Sequence, residues 1–190
     1  MFKKILKDAI YNRDDNMKKI IILLSIITVI FVSNKTTDDL IIPDEAIRVR
    51  VIANSNSIND QTVKQTVKNS IEKEITELLV EAKSIDDARN ILKLNLNDIN
   101  KTVERILEKN NYLIDYEVNY GYNHFPQKKY KGVIYEEGYY ESIVITLGSG
   151  EGDNWWCVLF PPLCLMESNS NDIEEVEYKS FIKELIDKYF

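Results

Sequence analysis

The sequence predicts an α+β fold: a small antiparallel or mixed sheet packed by helices, preceded by an N-terminal hydrophobic signal or anchor segment. Three observations predict it. Ile47–Ile52 and Tyr112–Tyr120 alternate side chains with the period of two expected of half-buried strands. Apolar residues recur at helical spacing between Val63 and Leu79 and again between Ile85 and Leu107. Ile20–Val32 is a thirteen-residue apolar run broken only by Ser25 and Thr28.

The apolar run comes first in the chain. A full span wants about 20 apolar residues, so thirteen fits the core of a secretory signal better. Lys18 and Lys19 precede it and Asp38 and Asp39 follow it, which keeps the N-terminus in the cytoplasm and sends the body outside. Met17 is a candidate start, with Met1–Asn16 an upstream extension. Val32-Ser33-Asn34 is a poor cleavage site, so cleaved and anchored forms both stand open, as does membrane association through Ile20–Val32.

Charge narrows the partners. The chain carries −7, from 24 Lys and Arg against 31 Asp and Glu. Residues 1–19 hold six bases and three acids, so they contribute +3 and the remainder carries −10. An acidic body argues against nucleic acid, whose affinity comes mostly from Lys and Arg meeting phosphate. Two cysteines and one histidine do not make a zinc site, and nothing in the sequence calls for a metal or cofactor.

In the body, Ile47–Ile52 is the first strand, with Arg48 and Arg50 on its polar face. Asn54–Asn59 is a polar turn. Ser57 with Asp60 has the spacing of a capping box, opening a helix whose apolar face is Val63, Val67, Ile71, Ile75, Leu78 and Leu79. Ser84 with Asp87 repeats the signal before a second helix carrying Ile85, Ala88, Ile91 and Leu92. A third helix carries Ile99, Val103, Ile106 and Leu107, with Asn97 a candidate cap and Asn110-Asn111 its end. The polar face of the Tyr112–Tyr120 strand is acidic where that of the first is basic. One reading of Arg48 and Arg50 is therefore cross-strand pairing, worth about 0.2–1 kcal/mol per pair; the other is contact with a partner. Ser142–Leu147 is a further strand, and residues 172–190 pattern as one more amphipathic helix.

Gly148–Cys164, GSGEGDNWWCVLFPPLC, concentrates three of six glycines, two of four prolines and every Trp and Cys. It reads either as a tight turn feeding an edge strand, Trp155–Phe160, or as a recognition surface. Neighbouring strand residues face opposite ways, so one of Trp155 and Trp156 is expected to be exposed or covered by another molecule. A phosphate-cradling loop is disfavoured: no Walker pattern or helix follows, and Glu151 and Asp153 repel anions. Cys157 and Cys164, seven positions apart across Pro161-Pro162, are expected to form a disulfide in an exported domain, worth roughly 2.5 kcal/mol. Cys157 with His124 as a nucleophile–base pair is weighed and set below this, because the cysteines sit in the most apolar stretch. The carboxylate pairs Glu136-Glu137 and Glu151 with Asp153 suit solvated turns better than a glycosidase.

The segment NWWCVLFPPLC, behind its glycine turn, resembles the signature of the stage II sporulation protein R family. IPDEAIRVRVIANSNSINDQTVK at Ile42–Lys64 and FPQKKY at Phe125–Tyr130 resemble it too, so the resemblance covers about Ile42–Cys164. The chain departs from it at Glu137-Gly138, where Ala-Gly is expected, and in the tail after Met166. The resemblance implies a signal without catalytic residues of its own. Such a protein is made in the forespore and exported into the space between forespore and mother cell. There it activates the membrane-embedded aspartic protease, stage II sporulation protein GA, which matures the precursor of mother-cell sigma factor E. On that implication the partner contact falls on Gly150, Gly152, Asn154, Trp155 and Trp156, with Arg48, Arg50, Asn54 and Asn56 second. Residues 1–34 are then a cytoplasmic stub with signal or anchor, 35–42 a linker, 43–167 the extracytoplasmic domain and 168–190 a helical tail. The rival reading, from a different class, is an extracytoplasmic wall hydrolase or Cys-dependent enzyme.

Overall fold

In the computed structural model, described for Ser25, residues 40–164 and residues 174–190, the chain divides between residues 38 and 39, and every named element lies in the second part. The apolar run Ile20–Val32, apart from Ser25, and the candidate start at Met17 lie outside the described residues. Among the described residues no helix is long and apolar enough to cross a membrane.

The fold is α+β with two mixed sheets and, among the described residues, three helices. In chain order the elements are β1 (Leu40–Ile41), β2 (Ile47–Ile52), α1 (Ile58–Leu79), α2 (Ile85–Lys109), β3 (Tyr116–Phe125), β4 (Lys128–Tyr130), β5 (Val133–Tyr135), β6 (Gly138–Leu147), β7 (Asn154–Phe160) and α3 (Glu175–Tyr189). The main sheet has the order β3-β6-β2-β7, with β2 and β6 parallel and both outer pairs antiparallel. The small sheet has the order β1-β5-β4.

Alternation decides what each sheet face holds. Ile47, Val49 and Val51 of β2 and Ile143, Ile145 and Leu147 of β6 point to one face, where Val67, Ile71 and Ile75 of α1 and Leu92, Ile99 and Val103 of α2 cover them. Each such aliphatic contributes roughly 1.5–3 kcal/mol of burial. The other face carries Arg48, Tyr140, Trp156 and Val158, covered over part of its length by Phe125, the small sheet and α3. Tyr178 and Ile182 of α3 are fully buried there, so the expected tail is an integral layer of the body. Leu40 and Ile41, within the expected linker, form β1 and pair with β5.

Two expected boundaries move. The second and third helices are one, α2, because no Gly or Pro interrupts Leu92–Ile99. Asn95, which favours breaks, donates to the Ile91 carbonyl at 2.8 Å inside the helix. The expected strand at Tyr112 begins at Tyr116: Asn111 takes φ 51° after the α2 C-cap, and Tyr112 is spent on a side-chain bond to α1. Ser57 and Ser84 both cap as expected, accepting from the Asp60 and Asp87 N–H at 3.1 Å. The return half of the first capping box is absent. The Ser57 N–H goes to the Ser55 hydroxyl, and the Asp60 carboxylate turns elsewhere.

Candidate functional site

Three loops meet at one end of the main sheet: Ala53–Ser57 after β2, Asn110–Asp115 before β3, and Gly148–Asp153 between β6 and β7. Their backbones are sewn together. The Gly152 N–H donates to the Ala53 carbonyl (2.9 Å), Glu151 to Asn54 (3.2 Å) and Gly148 to Asp115 (2.7 Å). Gly148 and Gly150 take positive φ of 58° and 66°, the left-handed turn that glycine permits.

Side chains complete the junction. Asn54 Oδ1 accepts from the Ser149 N–H at 3.0 Å, and Asn54 Nδ2 donates to Asp60 at 2.9 Å. Asn56 Oδ1 accepts from the Asp153 N–H at 2.6 Å. The Asp60 carboxylate also accepts from the Ser55 and Tyr112 hydroxyls, each at 2.6 Å. Lys64 reaches the Asp153 carbonyl at 3.1 Å. Asn54, Asn56 and Gly152 thus hold the loops together. The exposed rim left to solvent is Asn56, Ile58, Ser149, Glu151, Asp153 and Asn154, with Ile58 88% exposed.

Hydrogen bonds from Ser55, Tyr112 and Asn54 hold the Asp60 carboxyl down at about 2, against the opposing effect of burial. Burial, with Asp60 beside it, pushes the Tyr112 phenol up to about 12. The folded carboxyl sits below its ordinary 3.8, so its contribution is complete above that pH and is lost as pH falls through about 2. Asp60→Asn is therefore expected to be less stable than wild type near neutrality, with the gap closing below about pH 4. Urea melts across that range test it; a gap independent of pH would count against the network.

Arg48 lies elsewhere, under the opposite sheet face. It is fully buried, its guanidinium 3.3 Å from the Tyr140 ring centroid and 5.4 Å from those of Phe125 and Trp156. Its three nitrogens have no hydrogen-bond partner among the described residues. Burial lowers its pKa, with Tyr140 and Asp44 acting the other way. The electron-rich ring faces take the place of a carboxylate. The expected cross-strand pairing with the acidic strand fails, because β6 lies between β2 and β3. Arg50, half-buried, donates to the His124 carbonyl at 3.2 Å.

The two tryptophans do face opposite ways, yet both are covered by this chain. Trp156 is 7% exposed, edge-on to Phe125 and Tyr135. Trp155 is half-buried on the helix side, with the Lys68 ammonium 4.9 Å above its ring. β7 is an edge strand as the turn-and-strand reading expects, and its aromatics fill cores on both faces. Cys157 and Cys164, the expected disulfide pair, are both buried. Their sulfurs approach the same Val158 carbonyl, at 3.7 and 2.9 Å. His124 pairs with Glu137 at 3.1 Å and packs edge-on to Tyr139, on β3 at the opposite edge of the main sheet from Cys157 of β7. Asp153 binds Asn56 rather than pairing with Glu151.

Sequence reasoning missed Asp60 as the hub. The Ser57–Asp60 spacing flagged it, but as a cap. It also missed Arg89, whose guanidinium grips the buried Glu141 of β6. A sequence separation of 52 carries no local signal.

The family model described as stage II sporulation protein R matches residues 43–170. Stage II sporulation protein R of Bacillus subtilis (strain 168) is 40% identical over 150 residues, covering 78% of this chain and 67% of that protein. No solved structure matches. The matched region ends before α3.

Proposed function

The chain belongs to the stage II sporulation protein R family, and on that premise we propose that it is an exported sporulation signal that activates a membrane-embedded aspartic protease. The protease is the one the family resemblance implies, stage II sporulation protein GA, which then matures the precursor of mother-cell sigma factor E. Family membership over residues 43–170 carries the reading. The signal acts by binding. The exposed rim of the loop junction, with Ile58 and Asp153 beside Asn154, is its contact surface, held rigid by the Asp60 network beneath. Rigid loops lose little entropy on docking, and an exposed aliphatic ringed by polar groups is the composition of an interface anchor.

The test is coexpression of the full chain with the protease and the sigma-factor precursor in a non-sporulating host, following precursor cleavage. Cleavage is expected to require this chain, to survive Glu151→Gln, and to fall at least tenfold with folded Ile58→Glu. Full cleavage with Ile58→Glu would remove the rim from the reading. Loss of function in folded Glu151→Gln, joined to release of fragments from purified peptidoglycan by wild type, would replace it with the hydrolase.

A further inference from the structure

We infer that the open edge of β3, with the groove beside it, is a docking site for an extended segment of another protein that alternates basic and apolar residues and adds to the main sheet as a fifth strand. β3 ends the strand order, and among the described residues nothing pairs with its outer edge over ten residues. The Gly148 N–H donates to the Asp115 carbonyl, which makes that pair hydrogen-bonded in the antiparallel β3–β6 ladder. Bonding then alternates along the strand. Gly121 and Asn123 turn their backbone groups inward to β6, while Tyr116, Val118, Tyr120 and Tyr122 turn theirs outward. Four alternate residues thus offer outward N–H and C=O groups in register for a partner strand.

Exposed edges of this length normally carry Lys, Pro or a bulge to prevent pairing. YEVNYGYNHF has no Lys or Pro, and its pairing with β6 runs without a register shift. At its start the strand meets α2 across a groove of about 600 Å³. The lining includes Glu104, Glu108 and Asp115 and no basic residue, over a floor of Leu107 and Ile114. Leu113 on its lip is 91% exposed. A strand laid against Tyr116–Tyr122 sends every second side chain to the α2 side of the sheet, where those beside Tyr116 meet this groove and Lys93 stands further along, 5.5 Å over the Tyr120 ring. Main-chain bonding supplies affinity along the edge, and the carboxylates select Lys or Arg at the end beside Tyr116. The inference does not depend on the sporulation reading; it uses β3 and α2 rather than the rim residues named there, although the Asn110–Asp115 loop adjoins both.

The test uses the full chain in mild detergent and a fluorescein-labelled peptide of alternating lysine and valine, read by anisotropy. Two control peptides are the same sequence N-methylated at alternate residues, which blocks one edge, and its glutamate–valine counterpart. Binding of the first is expected, at least tenfold tighter than either control. Two protein variants report separately. Val118→Pro removes one outward N–H and leaves the inward ladder intact; Glu104→Lys with Glu108→Lys reverses the groove on the exposed face of α2. Each is expected to weaken the lysine–valine peptide at least tenfold while circular dichroism stays unchanged. No binding by wild type, equal binding of the N-methylated peptide, or unchanged affinity in the charge-reversed protein would overturn the proposal. So would a concentration-dependent dimer that Val118→Pro dissolves in the absence of peptide binding, which would give the edge to a second copy of this chain.

Discussion

Gly152→Ala is expected to destabilise the protein by about 3 kcal/mol, lowering the melting temperature by about 10 °C. The reason is space. A methyl group there would stand 2.4 Å from the Ser55 carbonyl oxygen and 2.9 Å from the Ala53 Cβ. The first of these is backbone, which no rotamer change can clear. Making room requires the Gly148–Asp153 turn to lift off the β2–α1 loop. That movement stretches the Gly152–Ala53 and Glu151–Asn54 bonds and pulls at Asn54 and Asn56. Gly121→Ala is the matched control, since its added methyl meets nothing nearer than the Asn119 side chain at 3.5 Å. Thermal melts of the two variants check the claim. If both lose the same small amount, the loop junction is not the tight lock described.

Arg89→Met is expected to cost about 3 kcal/mol, because it strands a buried carboxylate. Glu141 projects from β6 with its side chain 7% exposed. Arg89 Nε and Nη2 grip both of its oxygens at 2.8–2.9 Å, and the Tyr120 hydroxyl adds a third donor at 2.6 Å. Asp86 holds the outer side of the guanidinium. Burial alone would push the Glu141 pKa up, but the bonds from Arg89 and Tyr120 win and set it below the ordinary value. Burial and Glu141 raise the Tyr120 phenol, and Glu141 raises Arg89. A depressed carboxyl contributes stability above its ordinary pKa of 4.5 and loses it as pH falls. The gap between wild type and Arg89→Met is therefore largest near neutrality and shrinks below about pH 4. The double variant Arg89→Met/Glu141→Gln is expected to recover part of the loss, since the charge left unpaired is gone. Denaturant melts of the four proteins form the cycle. Strictly additive losses would show that the two residues do not act as a pair.

What was readable in the sequence was whatever depends on near neighbours. Alternation at Ile47–Ile52 and the helical period from Val63 to Leu79 are geometric properties of single elements, and both elements form where the pattern puts them. Ser57 and Ser84 cap because an N-cap side chain reaches only three residues ahead. The concentration of Gly, Trp and Pro in Gly148–Cys164 marked a turn and an edge strand, and β7 is one. The strands β4 and β5 of the small sheet were not legible, being three residues each and too short to show a period.

The structure alone decided who meets whom across the sheet. A pattern of period two says that a strand has two faces but not which strand lies beside it. Inserting β6 between β2 and β3 separated Arg48 from the acidic strand and left its guanidinium among aromatic rings. The same order left β3 with an unpaired edge. Both tryptophans are covered because the small sheet and α3 close the face that alternation had left open for one of them. Arg89 finds Glu141, and Asp60 finds Tyr112, each across 52 residues of chain. Local chemistry set the elements of this protein, and the crossing of the chain between them set its polar partners, because a side chain's bonds depend on distances in space that sequence separation does not encode.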